Sequence, residues 1–87
     1  MERDDDHDEQ VRDQRAFGRA LRELRRRSGL KQEELATRAG THSTYISHAE
    51  AGRFGVGWDT VMRLLRAMNS TISELAGEVE KQLQGES

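Results

Sequence analysis

The stretch 30-LKQEELATRAGTHSTYISHAEAGR-53 decides how the chain is read. It divides at Gly40. Before the glycine, Leu35, Ala36 and Ala39 fall on one face of a short helix from Gln32 to Ala39. Leu30, just ahead of that helix, and Leu35 inside it can form a hydrophobic staple. Glu33 and Glu34 occupy the first turn, where the helix dipole favours carboxylates. Gly40 stops the helix, and only Thr41 and His42 separate it from a second, from Ser43 to Ala51, which Gly52 ends.

The second helix poses the functional question. Ile46 and Ala49 face a core, with Glu50 beside them. The other face carries Ser43, Thr44, Ser47 and His48, with Tyr45 at its side. These groups form hydrogen bonds but carry almost no formal charge, in a chain with 14 Lys+Arg and 16 Asp+Glu. A merely solvated face would more often show Lys, Glu and Arg. Two short helices joined by a tight glycine turn form a helix-turn-helix, here spanning about residues 32–51.

Outward from this unit the chain continues as helices. Upstream, Val11, Phe17, Leu21 and Leu24 share a face at helical spacing, which predicts a helix from about Glu9 to Arg27. Asp6 and Glu9 are spaced as a capping box that would start it. Ser28 and Gly29 end it. Residues 1–8 read as a disordered acidic lead. Downstream, 52-GRFGVG-57 turns the chain, and Val61, Leu64, Leu65 and Met68 stripe a helix from Trp58 to Met68. Thr71 and Glu74 form another capping box, opening a fifth helix that runs to about Gln84 and carries Ile72, Leu75, Val79 and Leu83. The fold class is all-α: five helices in one domain over residues 9–84.

Charge is unevenly spread. Residues 1–10 set Arg3 against six carboxylates, a local charge of −5, whereas residues 11–69 hold 12 Lys+Arg against 6 Asp+Glu, or +6. A basic body suggests a polyanionic partner. The chain has no cysteine, which excludes a disulfide framework and a thiolate metal site. No apolar run reaches the length of a membrane span or a signal-peptide core, so the expected location is the cytoplasm. There is no phosphate-binding glycine loop and no H-E-x-x-H. His42 and His48 point differently around a helix, and His7 lies among solvated aspartates. The expectation is therefore no enzyme, no metal and no cofactor.

Leu30, Gln32, Leu35-Ala36, Gly40, Ile46-Ser47, Glu50 and Gly52, followed by 58-WDTVMRLLRAM-68 and 72-ISEL-75, closely resemble the Cro/cI-type helix-turn-helix family, also called XRE or lambda-repressor-like. The resemblance covers about Phe17 to Leu75. It implies a compact five-helix bundle that binds double-stranded DNA, usually as a homodimer, and acts in transcription, mostly as a repressor. By this analogy the third helix enters the major groove, and Ser43, Thr44, Tyr45 and His48 contact base edges. Gln32 matches a family glutamine that contacts a phosphate; Arg53, just after Gly52, is placed to meet the backbone, and Lys31 and Arg38 are further candidate phosphate contacts. Arg25 and Glu50 match a buried ion pair that serves the fold. Two departures stand out: Lys31 and His42 replace the usual Ser or Thr at the starts of the two helices, and histidine caps poorly. His42 is accordingly assigned to a phosphate.

The alternative is an adaptor of antitoxin or coactivator type that holds a protein partner through the helix over 71–84. On that helix Leu75, Val79 and Leu83 are the candidate dimer surface, the competing assignment being that they pack inside the monomer.

Overall fold

A computed structural model describes residues 4–85. The chain forms α1 (Asp4–Arg27), α2 (Gln32–Ala39), α3 (Ser43–Glu50), α4 (Trp58–Met68) and α5 (Ile72–Gly85), with no strand among the described residues. The apolar stripes read from the sequence converge. Leu21 from α1, Leu35 from α2, Ile46 from α3 and Leu64 from α4 are the largest fully buried side chains, with Leu24, Leu30, Leu65 and Met68 around them. Truncating such a leucine costs about 2–5 kcal/mol, because apolar contact is lost and a cavity remains. Phe17, Tyr45, Phe54, Val56 and Leu75 close the edges of this core. Val11 is half-buried and lies outside that cluster. The only tryptophan, Trp58, opens α4 with 65% of its surface exposed.

The helix ends follow local chemistry. At the start of α5 the box is complete: the Thr71 N–H donates to Glu74 Oε1 at 2.8 Å, and the Glu74 N–H donates to Thr71 Oγ1 at 3.1 Å. At α2 only half of it forms. The Lys31 N–H donates to Glu34 Oε1 at 2.8 Å, but an ammonium has no lone pair to return the bond. Gly40 takes φ +72° at the end of α2, and the Thr41 N–H donates to the Ala36 carbonyl at 2.9 Å, the bonding of a left-handed helix stop. Ser28 Oγ donates to the Leu24 and Met68 carbonyls at 2.9 and 3.1 Å, tying the ends of α1 and α4 together.

One boundary differs clearly from the sequence reading. Residues 4–8, expected within a disordered lead, belong to α1, while residues 1–3 lie outside the described residues. The Asp6–Glu9 pair therefore sits inside a helix rather than starting one. The turns ahead of Val11 are polar, so no apolar periodicity marks them in the sequence. Smaller shifts occur at α3, which ends at Glu50 with Ala51 as its cap, and at α5, which ends at Gly85.

Candidate nucleic-acid interface

Two restraints fix α3 near its C-terminal end. At its C-terminal end Glu50 is only 8% exposed. Its carboxylate accepts from Arg25 Nε and, at 3.0 Å each, from Arg25 Nη2 and Gln32 Nε2. Arg25 is itself buried, and its Nη1 donates to the Leu30 carbonyl at 2.9 Å. One bidentate ion pair thus links α1, the α2 entrance and α3. The hydrogen bond to Glu50 holds the Arg25 pKa above its ordinary value, outweighing desolvation.

A second restraint is steric. A Cβ on Gly18 would stand 2.4 Å from the Glu50 carbonyl oxygen and 2.6 Å from that of Ala49. Only glycine lets α1 cross the end of α3 this closely. Gly52 continues the contact: its φ is +75°, and a Cβ there would meet Arg15 Cα at 2.7 Å. The Arg53 N–H then donates to the His48 carbonyl at 3.1 Å, fixing the exit of the helix. The sequence reading missed Gly18. Its signal was available, since glycine inside a helix costs about 1 kcal/mol relative to alanine and calls for a reason.

With its inner face held, α3 presents the rest. Ser43 and Ser47, and Thr44 and His48, stand four residues apart, so these four share one face of the helix. Thr44 and Ser47 are exposed, and Ser43 and His48 are half-exposed. Tyr45 turns aside: its ring packs against Phe54, centroids 5.0 Å apart and tilted by 38°. His42 is exposed in extended backbone just before the helix, and its side chain makes no capping bond.

The expected phosphate contacts separate into groups. Lys31 and Arg53 are exposed. Gln32 is half-buried, with its amide committed to Glu50, so it braces α3 directly. Arg38, at the far end of α2, lines an open hollow of about 400 Å³ with Arg27, Ser28, Asn69 and Glu74, away from Gln32.

α5 lies along α1. Arg27 Nη2 donates to Glu78 Oε1 at 2.8 Å and Arg19 Nε to Gln82 Oε1 at 3.0 Å, which makes the two helices antiparallel. Glu78 is 5% exposed, a buried carboxylate that the apolar pattern of α5 did not announce. Hydrogen bonds from Gln82 and then Arg27 hold its pKa below the ordinary carboxylate value. Leu75 packs against the core, while Val79 and Leu83 are half-exposed. No helix among the described residues is long and apolar enough to cross a membrane.

Comparisons with known proteins agree with this fold. A family model described as a helix-turn-helix domain matches residues 16–76. The restriction-modification controller protein C.AhdI from Aeromonas hydrophila is 35% identical, with a TM-score of 0.72 over 75% of this chain and 94% of its own. Two crystal structures of the clp gene regulator ClgR from Corynebacterium glutamicum are also similar. One is 27% identical with a TM-score of 0.75 over 82% of this chain and 90% of that one. The other is 25% identical with a TM-score of 0.80 over 87% and 79%. A comparison with curated proteins found no match.

Proposed function

The chain belongs to the helix-turn-helix domain family, and from that premise we propose that it is a sequence-specific, double-stranded DNA-binding transcriptional regulator of the XRE type. In this reading it acts in the cytoplasm as a homodimeric repressor. The observation that carries the proposal is the face of Ser43, Thr44 and His48, displayed on a helix whose inner side is locked by the Arg25–Glu50–Gln32 contacts. Base edges in the major groove offer donors and acceptors in distinct patterns, and hydroxyls and an imidazole can answer them. A fixed α3 holds these groups at one depth and angle. Lys31, His42 and Arg53 are set around the helix to meet phosphates, which position the protein without reading sequence. Tyr45, packed on Phe54, serves mainly to seat the loop after α3. The similar structures support regulation, being described as a controller protein and a gene regulator.

A dimer would use the half-exposed edge of α5, where Val79 and Leu83 follow Leu75. Two copies should then place their α3 helices about 34 Å apart, one turn of DNA. Selection of bound duplexes from a random pool at near-physiological salt tests the reading. The expected result is an enriched palindrome with half-sites one turn apart. No enrichment would overturn sequence-specific binding and favour a protein partner on α5. A reporter carrying the selected site upstream of a promoter then separates repression from activation.

A further inference from the structure

The reading face of α3 does not end at solvent on its α1 side. It opens into a hollow of about 460 Å³ lined by Arg22, Arg25, Gln32, Ser47, Glu50 and Ala51. Two polar residues in this hollow have no role in the fold. Arg22 is exposed and forms no ion pair among the described residues, and the Ser47 hydroxyl likewise takes no partner. The other two charges there cancel: Glu50 is saturated by Arg25 and Gln32. The hollow therefore carries the net charge of Arg22, with the Ser47 hydroxyl also in its lining.

We propose that this hollow seats a DNA backbone phosphate, held by the Arg22 guanidinium from α1 and the Ser47 hydroxyl from α3. The inference rests on the DNA-binding reading and adds a contact from a helix outside the helix-turn-helix unit. Ser47 supplies the direction. It lies on the same face as Ser43, one turn further along α3, so a duplex lying against Ser43 and Thr44 brings its backbone over Ser47 and the mouth of the hollow. A guanidinium fits a phosphate through two parallel N–H donors, and a spent ion pair beneath it offers the phosphate no net repulsion. The seat would fix how far α3 can slide along the groove, a positioning role without base preference.

The test compares Arg22→Gln, Arg22→Lys and a charge-matched control, Arg66→Gln on the exposed side of α4. Binding to the selected duplex and to a random duplex is followed by fluorescence anisotropy across a salt series. Each protomer loses one phosphate contact, so for a homodimer on a palindromic site the slope of log K against log salt should fall by about 1.8, twice the roughly 0.9 of a single contact. Arg22→Gln should show that reduction and weaken both duplexes by the same factor. Arg22→Lys should keep the wild-type slope, and so should Arg66→Gln. Thermal unfolding of all three should match the wild type, because neither arginine is buried. An unchanged slope in Arg22→Gln, or the same loss in Arg66→Gln, would overturn the phosphate seat while leaving DNA binding intact. Failure of the wild type to bind any duplex would overturn the underlying reading and this inference with it.

Discussion

Glu50 and Glu78 are both buried, 8% and 5% exposed, and each meets an arginine from the last turns of α1 and a glutamine. Their partners differ. The Arg25 side chain is 11% exposed, whereas that of Arg27 is 51% exposed and also binds Glu23. Around Glu50 both charges have left water, so each depends on the other. Around Glu78 the cation keeps its hydration, and solvent screens the pair. Burial of a carboxylate thus says little about the strength of its tie; the exposure of the partner decides it. The desolvated pair stands behind α3, the helix proposed to read bases, and the screened pair joins α5 to α1.

Breaking the first pair should have the largest effect. Glu50→Ala leaves Arg25 charged and buried without its partner and should cost about 3–5 kcal/mol in chemical denaturation, with specific DNA binding lost as well. Next is Gly18→Ala, which leaves Glu50 intact but forces α1 away from its carbonyl. As an overpacking change it should cost about 1–3 kcal/mol. It should also weaken binding to the selected duplex more than to random DNA, because the helix that is displaced is the one proposed to read bases.

The smallest effect is expected from Glu78→Gln, and its signature is a pH dependence. The folded-state pKa of Glu78 lies below its ordinary value of 4.5. The ionised group therefore adds stability at pH above that value, and the contribution disappears as pH falls below it. In Tm measured stepwise from neutral to acid, Glu78→Gln should start slightly lower than the wild type and converge with it at low pH. Parallel curves would mean that the carboxylate contributes no charge-dependent stability.

Most of the helices were legible because each carries an apolar stripe of its own, closed by Gly29, Gly40 or Gly52. Leu35 with Leu30 and Thr71 with Glu74 are local signals, complete within a few residues. What escaped was either long-range or unopposed. Gly18 matters only because the end of α3 arrives beside it, and Glu78 looks like any surface glutamate until α1 covers it. The start of α1 escaped for another reason: its first turns are polar, so no periodicity marks them. Within the candidate site, the hydroxyl and imidazole face of α3 followed from spacing alone. The diversion of Tyr45 depended on Phe54, and the commitment of Gln32 on Glu50. The exposed Arg22 gave no local sign, because only folding brings it to the same hollow as Ser47.

Trp58 carries a practical consequence. It is the only indole in the chain, and 65% of it lies in water at the start of α4. Its emission in the native state should already resemble that of free tryptophan in solution. Unfolding will then change the fluorescence little, and a flat trace on heating would say nothing about the core. The same insensitivity gives a quiet baseline: a blue shift or quenching on adding DNA or a second protein would report an object arriving beside the loop after α3.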